Sequence, residues 1–227
     1  MNFDRLSAVL VRIGAVIRRF IPWPYAFLSA LRAAWGPKGY FRSVGLLRSM
    51  ALGRPVDADG SSLPLLSYPM IHLLDDRLHS GLRLFEYGSG GSTAFFADRV
   101  GSVVSVEHDR RWIDELTPTL NSNVTLLLRR LDENGRYAGA IDDAEGAFDV
   151  VLVDGRDRLH CLRRAIEAVS ETGVIIVDDT ERDRYDSAAN EAVAAGFQRL
   201  DLVGLRPGGV RNSTTSVLYR PGNCLKI

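Results

Sequence analysis

The residues best placed to do chemistry are acids in or just after apolar runs of the chain: Glu86, Glu107, Asp154, and the pair Asp178 and Asp179. Glu86 stands in "FEYGSGGSTAFFA" (85–97), where a short apolar run passes through an acid into a glycine-rich turn and then a helical stretch. Such a turn commonly holds a phosphate, and a dinucleotide fingerprint requires G-x-G-x-x-G. Gly88 and Gly90 satisfy that pattern, but Thr93 replaces its third glycine. A carboxylate two residues before the turn would also repel a pyrophosphate. A ligand that carries cationic groups and no phosphate suits the site better. Glu107 follows Glu86 by 21 residues, the separation at which an acid commonly accepts ribose hydroxyls. The plainer alternative is a tight strand-to-helix connection with no ligand.

Asp154 in "VLVDGRDR" and Asp178–Asp179 in "IIVDDTERDRY" also follow apolar runs. Three carboxylates brought together would repel unless protonated or bridged by a cation, and oxygen ligands suit Mg²⁺ or Mn²⁺. The alternative is that they cap helices or pair with Arg156, Arg158, Arg182 or Arg184. His160 and Cys161 read as packing residues of the following helix.

These acids need strands that end side by side. The runs at 82–87, 102–107, 124–128, 148–154 and 173–179 are nearly continuous in β-branched and apolar residues and alternate with helical stretches. That pattern predicts a parallel sheet covered on both faces, a doubly wound α/β fold whose strand ends open into one crevice. Two more runs, 197–205 and 213–220, are separated only by "RPGGVRN", too short for a crossover helix. They are expected to pair antiparallel, closing a seven-stranded sheet with a hairpin.

The net charge is zero, yet residues 1–54 hold nine Arg and Lys against Asp4 alone. Residues 1–60 therefore read as a basic helical extension and 61–227 as the main domain, joined at "GRPVDADGSSLPL" (53–65). Leu6, Val9, Leu10, Ile13, Val16, Ile17 and Phe20 fall on one helical face, and "IPWP" is expected to end that helix. Between Arg12 and Arg18 only "IGAVI" is free of charge, far short of a bilayer span and at the low edge of a signal core, so neither is expected. An interfacial helix on an anionic membrane and a cap packed on the domain both remain open. Cys161 and Cys224 suggest neither a disulfide framework nor a zinc site, so a reducing, cytoplasmic location is the default. The oligomeric state is open.

Over residues 68–220 the chain resembles the class I S-adenosylmethionine-dependent methyltransferases, through the E-x-G-x-G-x-S run of Glu86, Gly88, Gly90 and Ser92 and through "SVEHD" around Glu107. The resemblance implies a Rossmann-like fold with S-adenosylmethionine as cofactor. Gly88, Ser89, Gly90 and Ser92 would lie under its methionine part, which Glu86 helps to orient, with Asp154 beside the same ligand. Glu107 would hold the ribose and His108 would flank the adenine. The Asp154, Asp178, Asp179 set is similar to that of metal-dependent O-methyltransferases acting on catechols or macrolide sugars, though the 24-residue spacing is short for the latter. By that likeness a divalent cation would activate a hydroxyl, with Asp154 or Asp179 taking its proton. "VDGRDR" and "VDDTERDRY" also resemble bacterial methyltransferases associated with polysaccharide or sugar modification, which points to a small or sugar-like acceptor. Nucleic acid is disfavoured as acceptor, because "DGRD" stands where base-modifying enzymes carry a proline-aromatic pair. The competing classes are an NAD-type oxidoreductase and a non-catalytic membrane-surface module.

Overall fold

The computed structural model describes residues 14–131 and 135–227. Its centre is a seven-stranded sheet of β1 (Arg83–Tyr87), β2 (Ser102–Glu107), β3 (Val124–Leu128), β4 (Phe148–Val153), β5 (Val169–Val177), β6 (Gln198–Gly204) and β7 (Ser213–Tyr219), in the order β3-β2-β1-β4-β5-β7-β6. The first five strands are parallel; β7 lies between β5 and β6 and is antiparallel to both. The expected hairpin is thus present.

Period-two alternation explains why the strands read as unbroken apolar runs. On β1, β4 and β5, Leu84, Val150, Leu152, Val174 and Ile176 join one core, while Phe85, Tyr87, Val151, Val153, Ile175 and Val177 join the other. The first core is covered by α4 (Tyr68–Arg77) and α5 (Gly91–Ala97), through Met70, Ile71, Leu74 and Phe96. The second is covered by α7 (Arg158–Ala168) and α8 (Asp183–Ala194), through Leu162, Ala165, Ala188 and Ala192. A further helix, α6 (Arg110–Leu116), follows β2.

Strand β5 starts earlier than the sequence pattern suggests, at Val169, which pairs with Phe148 across a register shift. It ends at Val177, so Asp178 and Asp179 belong to the loop beyond it, where Asp179 adopts φ +60°. A left-handed residue cannot continue a strand, and Asp tolerates that conformation better than most.

Residues 14–20 are helical, followed by α1 (Pro22–Trp35), α2 (Tyr40–Ser43) and α3 (Leu46–Leu52). The expected break at "IPWP" is a single residue: Ile21 leaves helical geometry at φ −135°, and Pro22 opens the next helix, where its missing N–H costs nothing. Of the expected apolar face, Leu6, Val9, Leu10 and Ile13 lie outside the described residues, and Val16, Ile17 and Phe20 are exposed. The stretch at 53–65 is a packed strap despite its linker-like composition. Asp57 Oδ1 accepts hydrogen bonds from the N–H groups of Asp59, Gly60 and Ser61, and the turn so formed buries Val56 and Leu63. Val44 and Leu46 belong to the main core, and Phe41 packs against it. Among the described residues no helix is long and apolar enough to cross a membrane.

Candidate functional site

A cavity of about 700 Å³ opens beyond the carboxyl ends of β1, β2 and β4. Its walls include Gly88, Ser89, Gly90, Ser92, Glu107, His108 and Asp154, so most of the residues singled out in the sequence meet in one place. The strap supplies Arg54, Pro55, Leu63 and Leu65, and Trp112, Leu116, Tyr137, Arg156 and Arg158 also line it.

The turn after β1 is shaped by close backbone approach. Gly88 has φ +97°, and a Cβ on it would lie 2.8 Å from the Cα of Gly155 in the loop after β4. A Cβ on Gly155 would in turn meet the Tyr87 carbonyl oxygen at 2.8 Å. The glycines in "EYGSG" and "VDGRD" are therefore two halves of one contact. Gly90 differs: a Cβ there would meet nothing within 4 Å, so its bareness keeps the cavity floor open.

Glu86 is fully buried and lies beneath the turn, outside the cavity lining. Its carboxylate accepts hydrogen bonds from Ser92 Oγ, Thr93 Oγ1 at 2.6 Å and Ser105 Oγ at 2.8 Å. The role expected for it beside the ligand is therefore replaced by one of holding the turn from below. Burial pushes its pKa up to about 7, opposed by the three hydroxyls and reinforced by Glu107. Thr93, which breaks the dinucleotide pattern, also accepts from the Gly90 N–H at 2.9 Å, so its hydroxyl links the acid to the turn.

Glu107 ends β2 on the cavity wall. Its Oε1 accepts from the N–H groups of His108 at 2.7 Å and Asp109 at 2.9 Å, while Oε2 receives only a longer 3.3 Å contact from the Ser89 N–H. The second oxygen thus keeps capacity for a ligand hydroxyl. Trp112 donates from Nε1 to the Ser89 carbonyl at 2.8 Å and sets an indole beside the turn. The sequence reading passed over Trp112 and Tyr137; an aromatic in the helix after the second strand was the available signal for the first. Among the described residues the buried Tyr137 hydroxyl has no hydrogen-bond partner, and burial raises its pKa. An orphaned hydroxyl on a cavity wall fits a ligand that carries polar atoms.

Of the three aspartates only Asp154 reaches the cavity. Of the two alternatives for these acids, a bridging cation or pairing with an arginine, the structure shows the second: the guanidinium of Arg158 donates to Asp154 Oδ1 at 2.7 Å and Asp179 Oδ2 at 3.0 Å and stands 3.9 Å from Asp178 Oδ2. Asp179 is 4% exposed and also pairs with Arg182 at 3.1 Å and Arg206 at 3.5 Å. Asp178 is 1% exposed and accepts from Thr215 Oγ1 at 2.8 Å. Among the described residues no group of three or more His, Cys, Asp or Glu is arranged to hold a metal ion. The expected metal set of Asp154, Asp178 and Asp179 does not fit a divalent cation, because the permanently charged guanidinium of Arg158 stands among the carboxylates where the cation would lie. Asp179 is equally poorly placed as a base, pinned away from the cavity. Asp154 remains: desolvation and repulsion from Asp178 hold its pKa well above the ordinary carboxylate range, with Arg158 opposing. His160 pairs with Asp157 on the surface and Cys161 is buried, as packing roles imply.

No family model and no curated protein sequence matches the chain. Solved structures do. A precorrin-6y C5,15-methyltransferase from Geobacter metallireducens superposes with a TM-score of 0.55 at 16% identity, covering 74% of this chain and 98% of that one. A provisionally named O-methyltransferase from Klebsiella pneumoniae gives 0.51 at 19% identity, covering 86% and 96%. An rRNA methylase from Streptococcus thermophilus gives 0.50 at 12%, covering 69% and 99%. The fold is therefore the Rossmann-like fold that these solved structures share.

Proposed function

We propose that this protein is a methyltransferase using S-adenosylmethionine and acting on an oxygen of a small or sugar-like acceptor. The observation that carries the reading is the cavity itself: an open floor at Gly90, a carboxylate with free capacity at Glu107, and a second carboxylate at Asp154, all at the carboxyl edge of a methyltransferase-type sheet. When bound, S-adenosylmethionine supplies an electrophilic methyl group on a positively charged sulfur.

The chain's own residues then divide the work. Glu107 accepts hydroxyl donors of the ligand, and Trp112, Leu116 and Leu63 give the cavity apolar walls that exclude water. In its ionised form Asp154 would place negative charge where a cationic ligand is favoured and could receive the proton that an acceptor hydroxyl must lose. Arg54 and Arg156 line the cavity without an ion pair among the described residues, which favours an acceptor bearing a carboxylate or phosphate. Arg158 holds the loops after β4 and β5 at fixed separation, supplying locally the positive charge a metal was expected to bring.

Titration calorimetry with S-adenosylmethionine and S-adenosylhomocysteine, beside NAD, tests the proposal. Binding of either sulfur ligand at micromolar Kd, about −8 kcal/mol, with none of NAD supports it. The reverse selectivity overturns it.

A further inference from the structure

The fourteen residues of α1 bury none of their side chains. Trp23 is 84% exposed, Phe27 65%, Leu28 60% and Trp35 65%, and Phe20 just ahead of the helix is 75% exposed. Trp23 and Phe27 stand one turn apart and share a face, with Leu28 beside them. Soluble proteins seldom leave so many large apolar side chains together in water. Around them the charge has one sign: residues 14–56 contain seven Arg and Lys, from Arg18 to Arg54, and no Asp or Glu.

We infer that α1, with the helical residues 14–20 before it, docks on the surface of an anionic phospholipid bilayer. The apolar side chains would enter the headgroup boundary, and Arg18, Arg19 and Arg32 would meet lipid phosphates. Two observations favour lipid over protein as the occupant. A symmetric pairing of this segment with the same segment of a second copy would set seven cations against seven with no acid between them. Two tryptophans on a helix too short to cross the bilayer, with Arg32 within it, Arg18 and Arg19 just before it and no acid in either stretch, match the composition of an interfacial anchor. The inference does not depend on the methyltransferase reading.

The test is co-sedimentation of the full chain with vesicles of phosphatidylcholine alone, and with vesicles in which about a third of the lipid is phosphatidylglycerol. Binding to the anionic vesicles is expected to be at least about tenfold tighter and to weaken as salt rises from about 50 to about 500 mM. The variant W23S/F27S, folded by circular dichroism, should lose vesicle binding; R18Q/R19Q/R32Q should lose the preference for anionic lipid. Absence of binding to anionic vesicles, or unchanged binding by folded W23S/F27S, overturns the inference. So does a wild-type dimer that W23S/F27S converts to monomer while neither binds vesicles, which would make a second copy the occupant.

Discussion

Arg158 holds Asp154 through both its backbone and its side chain, with Nη2 3.0 Å from the carbonyl oxygen and 2.7 Å from Oδ1. Nη1 reaches the Asp178 carbonyl at 2.8 Å and Asp179 Oδ2 at 3.0 Å, and Nε donates to the Gly155 carbonyl at 3.2 Å. Every donor of the guanidinium fork is used, and the ends of β4 and β5 are tied together by one side chain. Removing one partner of a buried charge set usually costs about 3–5 kcal/mol. Arg158→Met is therefore expected to lower stability by an amount of that order in urea denaturation. Because the arginine supplies the cation, chelator should leave S-adenosylhomocysteine affinity unchanged, and added Mg²⁺ should not raise it; calorimetry checks both.

Glu86 predicts how stability depends on pH. Its folded pKa of about 7 lies above the ordinary value of 4.5, so the native state binds this proton more tightly than the unfolded chain does. That advantage is complete below 4.5 and is lost as pH rises through 7. Asp178, raised from 3.8 to about 6 by burial, acts in the same direction over a lower window. At about 1.4 kcal/mol per pKa unit, Glu86 alone corresponds to about 3 kcal/mol. The urea midpoint is expected to be higher near pH 5 than near pH 8, and Glu86→Gln should flatten that slope. A midpoint that rises with pH in both proteins would contradict the assignment.

The two glycines of the turn should respond in opposite ways. At Gly88 a side chain meets both a left-handed backbone, costing about 1–2 kcal/mol, and the Gly155 backbone 2.8 Å away. Gly88→Ala should therefore lower the melting temperature clearly. Gly90 is extended at φ 177° and faces open space. Gly90→Ala should keep stability within about 0.5 kcal/mol of the parent while its methyl enters the cavity and weakens S-adenosylhomocysteine binding. Thermal denaturation and calorimetry on the same pair separate the two effects.

These glycines also show what was legible in the sequence. Parallel strands with both faces buried leave unbroken apolar runs, so β1 to β5 and the acids at their ends could be read directly. The short spacer between the last two strands forced the hairpin for the same geometric reason. What local sequence does not carry is the partner of each group. Nothing near Glu86 says that Ser92, Thr93 and Ser105 will take its lone pairs, because Ser105 comes from the neighbouring strand. Likewise the sequence places four arginines among the aspartates without saying which one turns inward; Arg158 does so because its position in the first turn of α7 sets it over the gap between β4 and β5. The strap at 53–65 was hidden by composition, since Gly, Pro, Ser and Asp serve a packed turn as well as a linker.

Glu107 and Trp112 offer the most direct test of the cavity. Glu107 meets a ligand through a charged oxygen, and hydrogen bonds to charged groups contribute about 1.5–3 kcal/mol. Glu107→Gln should weaken S-adenosylhomocysteine binding about tenfold to a hundredfold. Trp112 acts one step back: its indole N–H fixes the Ser89 carbonyl at 2.8 Å and thereby the turn. Trp112→Phe keeps an aromatic wall and loses one neutral hydrogen bond, a change of about 0.5–1.5 kcal/mol, so its loss should be at most about tenfold. Calorimetry on both variants checks the order. If Trp112→Phe proved the more damaging of the two, stacking on the indole rather than the Glu107 carboxylate would dominate recognition, and the ribose role given to Glu107 would fall.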